Sequence, residues 1–421
     1  MSEDISHAPP RGMRDFYPEE MAARNRLFDT WRAAAACHGF QPYDACVVES
    51  LEILQRKAGE EVSEQIYTFQ DKSGRNLALR PEMTPTLARM VAGRQGQLQF
   101  PLKWTAIAQC FRYERMTRGR KREHYQWNLD IIGEASVSAE LEILSAATRA
   151  MKNLGVPDDA YRVRVNNRLL LSELLDTLHI PAENHPAIFL VLDKKEKISR
   201  EEILALLDKE GVPNDTAQKA LALLEVQTLD DAARLVDENS PAIADLRALF
   251  AAAEISGFAD RLRFDLSVIR GLSYYTGIVF EAFDTAGKFR AIFGGGRYDS
   301  LLSHLGGERT PAVGMGFGDV VIQELLNDLF PPAQTPAPHV HTAVSYMMPG
   351  QRETALRLAV KLRDNGLTVD LALAPQKPRQ FFSRASAIAQ HAIFIGPDDL
   401  TRGVAKSKNL ATREETEIVL F

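Results

Sequence analysis

Phe111 to Gly133 reads FRYERMTRGRKREHYQWNLDIIG, and its residue types are those that hold an anion. Arg112, Arg115, Arg118, Arg120, Lys121 and Arg122 crowd into its first half. An alternating segment follows, with Tyr125, Trp127, Leu129 and Ile131 on one face and Gln126, Asn128 and Asp130 on the other. Period-two alternation predicts a half-buried strand whose polar row looks at something other than core. The cationic run suits a ligand of phosphate type, and the Asp130 carboxylate suits a cation beside it. A solvated charged hairpin is the alternative, because that is where charge runs usually end.

Two further groups carry chemistry. In LALRPEMTPTLARMV, Glu82 and Thr84 stand where a strand gives way to a helix, a junction that serves ligand contact or simple capping. In VIRGLSYYTGIVFEAF, Arg270 precedes the neighbouring pair Tyr274 and Tyr275. Glycines recur nearby at Gly271, Gly277, Gly294 to Gly296, Gly314, Gly316 and Gly318, yet neither GxGxxG nor GxxxxGK[ST] is present. A nucleotide would therefore be held by arginines on an antiparallel sheet. The small residues would leave room for a flat ligand there, or for tight packing of sheet on helix.

The elements that must position these residues follow from periodicity. Trp104 to Cys110 is the partner strand of the alternating segment, making a long hairpin with a cationic loop. Upstream, Pro18 to His38 is an amphipathic helix closed by Gly39, Tyr43 to Glu49 a strand, and Leu51 to Lys57 a helix. Gln65 to Gln70 and Asn76 to Leu79 form a hairpin, and Pro85 opens the helix that carries Leu87 and Met90. Downstream come a helix from Ser138 to Leu154, a strand from Tyr161 to Val165 and a helix from Asn167 to Leu178. Positions 181–257 turn Leu-, Ala-, Glu- and Lys-rich with helical spacing, predicting a helical insertion. Strands return from Leu262, and AVGMGFGDVVIQELL reads as a strand running into a helix. PPAQTPAPHV, Pro331 to Val340, is a linker in composition, and beyond it α and β alternate, predicting a mainly parallel sheet.

A chain of 421 residues with 45% hydrophobic content predicts two or three well-cored domains. The net charge of −6 argues against nonspecific coating of nucleic acid, though one cleft can still focus positive potential. The three cysteines, Cys37, Cys46 and Cys110, have no CxxC spacing, so neither a zinc site nor a disulfide framework is expected. The polar start lacks an apolar signal core and no apolar run reaches membrane-spanning length, so a soluble cytoplasmic protein is expected.

FRYER followed by a basic loop resembles motif 2 of the class II aminoacyl-tRNA synthetases. LRPEMT, RGLSYYTG and GGGRYD resemble the amino-acid pocket of the histidyl-tRNA synthetase family, as do RGMRDFYPEE and the tail IFIGPDDLTRGVAKSKNLATREE. The likeness spans nearly the whole chain. It implies an α+β fold: a class II synthetase-like antiparallel-sheet catalytic domain over 1–330 with the helical insertion, then the linker, then an α/β anticodon-binding-like domain over 341–421. It also implies ATP as substrate with Mg²⁺, L-histidine and tRNA(His) as partners, and a homodimer. By resemblance, Arg112 contacts the α-phosphate, Glu114 the adenine and Arg120 the outer phosphates. Glu82, Met83, Thr84, Arg112, Gln126, Asp130, Arg270, Tyr274 and Tyr275 would receive the histidine, the carboxylates taking its α-ammonium. Arg270 would touch both the histidine carboxylate and the α-phosphate, making Arg270 and Arg112 the catalytic pair.

The resemblance departs at four places. The motif 3 arginine falls on Val321, which removes one nucleotide-clamping charge. The motif 1 proline of the dimer signature falls on Cys46, the family's aspartate in RGLDYY is Ser273, and the motif 2 loop reads ERMT where many members have ERPQ. Two rival readings share the pocket: the synthetase-like regulatory subunit of ATP phosphoribosyltransferase, and an adenylating ligase for another small amine or peptide. The regulatory subunits usually lose the equivalent of Arg270 and the last domain, and this chain keeps both.

Overall fold

The computed structural model describes residues 7–55, 64–195, 198–270, 274–330 and 339–420. The predicted helix positions beyond Gln55, Gly271 to Ser273 and most of the Pro-rich linker lie outside them. The chain divides into two compact units, Met1–Pro331 and Pro332–Phe421.

In the first unit the strands are β1 (Gln41–Pro42), β2 (Val48–Ser50), β3 (Thr68–Gln70), β4 (Asn76–Leu79), β5 (Leu102–Phe111), β6 (Glu123–Ile132), β7 (Tyr161–Asn167), β8 (Leu262–Phe264), β9 (Ile278–Asp284), β10 (Phe293–Arg297) and β11 (Ala312–Gly318). Eight of them form one sheet in the order β1-β5-β6-β11-β10-β9-β7-β8. Every internal pair is antiparallel, and only the edge pairs β1/β5 and β7/β8 are parallel. The remaining three make a small sheet, β2-β4-β3.

The predicted hairpin is β5 and β6, with Ala108 opposite Gln126 and Trp104 opposite Asp130. Its odd row packs as expected. Trp127, Leu129 and Ile131 are buried against the helices Pro18–Cys37 and Ser138–Asn153. Trp31 stacks on Trp127 at 5.8 Å between centroids, and Phe317 of β11 tilts against both. The strand is not half-buried, however. Asn128 and Asp130 of the even row are 1% and 0% exposed, because a cavity wall closes over that face.

Most of one predicted strand is not strand. Of Tyr43 to Glu49 only Val48 and Glu49 pair, in β2 of the small sheet, while β1 of the large sheet ends before it at Pro42. Between them the Ala45 and Cys46 carbonyls accept hydrogen bonds from the buried Arg80 guanidinium (3.0 and 3.4 Å) instead of from a strand. The described residues of 181–257 are mainly helical, including Arg200–Lys209, Asn214–Leu223 and Pro241–Ile255. Their apolar faces belong to the same core as Trp127 and Phe317, through Ile188, Leu207, Leu221 and Leu246.

In the second unit a sheet of five strands runs β13-β12-β14-β15-β16. These are β12 (Val340–Tyr346), β13 (Val369–Leu371), β14 (Ala389–Ile395), β15 (Val404–Asn409) and β16 (Glu415–Val419). The first three pair in parallel, with the helices Arg352–Asp364 and Pro378–Ile388 between them in sequence. The last two add antiparallel, an addition that the polar repeats KSKN and ETE do not announce.

Candidate active site

One face of the large sheet carries a cavity of about 250 Å³. Of the residues predicted to bind ligand, Glu82, Thr84, Arg112, Glu114, Arg120, Gln126, Arg270, Tyr274 and Tyr275 all line it. They come from distant stretches, brought together because β6, β11, β10 and β9 lie side by side. Two predicted residues do not reach the wall. Met83 is fully buried and packs on Ala106, Ala108 and Cys110, its sulfur accepting from Arg80 Nη1 at 3.4 Å. Asp130 lies behind the wall, its Oδ1 accepting from Tyr298 Oη at 2.6 Å.

Glycines make this arrangement possible, by yielding space to protein side chains as much as to any ligand. A Cβ on Gly294 would stand 2.2 Å from Arg270 Nη1, and one on Gly316 2.6 Å from Gln126 Nε2. The room on this sheet is thus already occupied by the groups that line the cavity.

The carboxylates are only half satisfied. Glu82 Oε2 accepts from Tyr274 Oη at 2.9 Å, while Glu82 Oε1 and Asp130 Oδ2 are buried with no hydrogen-bond partner. Buried acceptors left open in this way fit a ligand carrying donors. Tyr274, Tyr275 and Tyr298 form the aromatic side of the same cluster, with centroids at 4.9 and 6.0 Å. Tyr298 is a site residue that the motif GGGRYD contained but that pattern reading did not single out. The arginine of that motif faces elsewhere. Arg297 is clamped by both oxygens of Glu140 at 2.7 Å, and holds the sheet to the helix Ser138–Asn153.

Burial pushes the Asp130 carboxyl up to about 7; the Tyr298 hydrogen bond opposes this and the Glu82 charge adds to it. Below the ordinary carboxylate range this group is protonated whether the chain is folded or not. Between that range and about 7 the folded chain alone holds the proton, so stability falls as pH rises through the window. Asp130→Asn removes the effect. Urea midpoints should therefore shift in favour of the variant from pH 5 to pH 8, about a kcal/mol or more in total. A variant–wild-type difference independent of pH would refute this.

The cations are held in distinct ways. Arg270 sits at a left-handed φ of 59°, a backbone state costly for a residue with a side chain, and one that clusters at working sites. Its Nη1 donates to Glu281 Oε1 at 2.7 Å and its Nη2 to Tyr275 Oη at 3.5 Å. Glu281 lies opposite Gly294 in the register, and was also missed; a lone acid in the apolar run IVFEAF is its signal. Arg112 Nε donates to the Pro81 carbonyl at 2.9 Å, beside Glu82. Arg120 and Glu114, both expected on the nucleotide, are ion-paired to each other at 2.7 Å. His124, another unforeseen lining residue, is held neutral: burial, then the charges of Arg112 and Arg14, push it down to about 3. Val321 lines the cavity where the resemblance expects an arginine.

Sheet order and half-open carboxylates beside fixed guanidiniums define a catalytic core of the class II synthetase type. The family model for histidyl-tRNA synthetase matches residues 12–318. The chain belongs to the histidyl-tRNA synthetase family. It is 43% identical over 415 residues to the chloroplastic/mitochondrial histidine–tRNA ligase of Arabidopsis thaliana, covering 98% of this chain and 85% of that protein. Against the histidine–tRNA ligase of Opitutus terrae it is 37% identical over 416 residues, 97% of this chain and 94% of that one. The crystal structure of histidyl-tRNA synthetase from Nostoc sp. PCC 7120 superposes with a TM-score of 0.80 at 25% identity, covering 99% of this chain and 97% of that one.

Proposed function

We propose that this chain is a histidine–tRNA ligase: it uses ATP to activate L-histidine as histidyl-adenylate and passes the histidyl group to the 3′ end of tRNA(His). The observation that carries the reading is that Glu82, Arg112 and Arg270 face one cavity in a chain similar to histidine–tRNA ligases over nearly its full length. Relatives named histidine–tRNA ligase over nearly the full length do not favour a regulatory subunit or a ligase for another amine.

In the first step a histidine carboxylate oxygen attacks the α-phosphorus and pyrophosphate leaves. A carboxylate is nucleophilic enough at neutral pH, so no general base is needed. The obstacle is bringing two anions together, and fixed guanidiniums offset their repulsion and the charge growing on phosphorus. Arg112 and Arg270 are the residues for this. The open oxygen of Glu82 suits the positively charged end of histidine, with Thr84, Gln126, Tyr274 and Tyr275 around it and the Asp130 carboxyl behind them, holding Tyr298. Glu114 and Arg120 would exchange their ion pair for contacts to the nucleotide. Among the described residues no cluster of three or more His, Cys, Asp or Glu could hold a metal unaided. Mg²⁺ therefore fits as an ion carried on the phosphates, where it would neutralise their charge, with Glu114 a lining carboxylate within the nucleotide subsite. In the second step the terminal ribose hydroxyl of tRNA attacks the mixed anhydride and AMP leaves.

Histidine-dependent ATP–pyrophosphate exchange together with tRNA charging tests the reading. Exchange without dependence on histidine would overturn it. No helix among the described residues is long and apolar enough to cross a membrane, and a cytoplasmic homodimer is part of the proposal. So is a tRNA-binding role for the second unit, whose helix Pro378–Ile388 opens beside Lys377 and Arg379. Of the other basic positions there, Lys406 is ion-paired to Glu415 and Arg402 to Asp399. Truncation after Phe330 should leave exchange largely intact and cut tRNA charging about tenfold or more at physiological salt. A folded truncation that charges as well as the whole chain would rule the role out.

A further inference from the structure

Near the tip of the basic loop, Arg120 is paired with Glu114 and Arg118 with Glu324. Two cations that line the cavity there, Lys121 and Arg290, have no such partner among the described residues, and Arg290 is the guanidinium of the two. It lines the cavity, is exposed, and makes no hydrogen bond or ion pair with any described residue. Its place is nevertheless well determined. The Asp284 carboxylate accepts from the backbone N–H of Lys288 (2.8 Å) and of Phe289 (2.9 Å), fixing the turn after β9. The Ile292 N–H donates to the Ala282 carbonyl at 2.7 Å and returns the chain to the sheet. Arg118 of the loop lies over the Phe289 ring at 4.7 Å, so the loop tip and the segment carrying Arg290 are held against each other. A Cβ on Gly119 would stand 3.4 Å from Val321 Cγ2 and 4.0 Å from Arg290 Cδ. The turn thus delivers a free guanidinium to the patch of wall that Val321 leaves uncharged.

Which part of a ligand it meets follows from the strand. Glu123 and Asp130 begin and nearly end β6, and their separation of seven positions (130 − 123) spans roughly 23 Å at about 3.3 Å per residue. The loop precedes Glu123, so Arg290 borders the end of the site remote from the Asp130 carboxylate. An unpaired cation on a fixed turn, remote from the amino-acid groups, fits the pyrophosphate portion of ATP.

We propose that Arg290 binds the outer phosphates of ATP, supplying from the turn before β10 a charge that Val321 does not provide. This rests on the reading of the cavity as an adenylation site. Because Arg290 has no partner to orphan, Arg290→Ala should fold normally. Its KM for ATP in histidine-dependent exchange should rise about 10- to 100-fold, the range for losing hydrogen bonds to a charged group. The KM for histidine and inhibition by AMP, which lacks the outer phosphates, should stay as in wild type. An unchanged KM for ATP, or equal weakening of ATP and AMP, would overturn the assignment. If wild type shows no histidine-dependent exchange, the adenylation reading fails separately. Equilibrium binding of ATP and AMP to wild type and variant then decides on Arg290 by the same contrast.

Discussion

Arg270→Ala is expected to lower histidine-dependent pyrophosphate exchange about a thousandfold, with the affinity for histidine falling far less. The residue is prepared for work at the transition state. Its backbone is held at a φ of 59°, and Glu281 and Tyr275 fix two of its nitrogens, so little reorganisation remains when charge builds on phosphorus. Alanine also leaves Glu281 without its partner, adding a negative charge beside an anionic reaction. Glu281→Gln separates the two effects: it keeps the arginine and loosens it, and should cost the rate less than alanine does. Exchange near the wild-type rate in Arg270→Ala would remove this residue from the chemistry.

Gly314→Ala is expected to raise the KM for histidine about a hundredfold in a protein that still folds, by way of one displaced carboxylate. The added Cβ would lie 2.2 Å from Asp130 Oδ1 and 3.0 Å from Tyr298 Cε1. Asp130 cannot step aside easily, because it is fully buried on β6, between Trp104 on one neighbouring strand and Gly314 on the other. Its hydrogen bond to Tyr298 must break, and Tyr298 is itself part of the wall. The KM for ATP should change little, since Arg112, Arg120 and Arg290 do not touch this spot. Equal loss of both substrates would mean that the sheet, and not the pocket, had been damaged; loss of thermal cooperativity would show the same.

What the sequence made legible depended on how local each signal was. The β5/β6 hairpin and the helix Pro18–Cys37 could be read because their apolar residues keep one period over many turns or pleats. Tyr43 to Glu49 misled because its middle crosses from one sheet to the other, and the partner that its carbonyls find there is Arg80, far along the chain. Arg270, Tyr274 and Glu82 were found through their motifs. Tyr298, Glu281 and His124 were passed over, since each acquires meaning only from a neighbour across the sheet. Arg290 has no local signal at all: one arginine in GKFRAIF looks like surface until the turn that carries it is folded. Met83 erred in the other direction, its motif neighbours facing the cavity while its own side chain enters the core.

The helices of 181–257 grow out of the catalytic unit without a core of their own. Leu207 and Leu221 belong to the same apolar mass as Met315 and Phe317, and Met315 lines the cavity. Heredity would feel that continuity. A lesion that loosens these outlying helices softens the floor under the substrates as well, so heat-sensitive alleles should map there although no described residue of the segment lines the cavity. By the same token, relatives can exchange this segment only for one that presents an equivalent oily face.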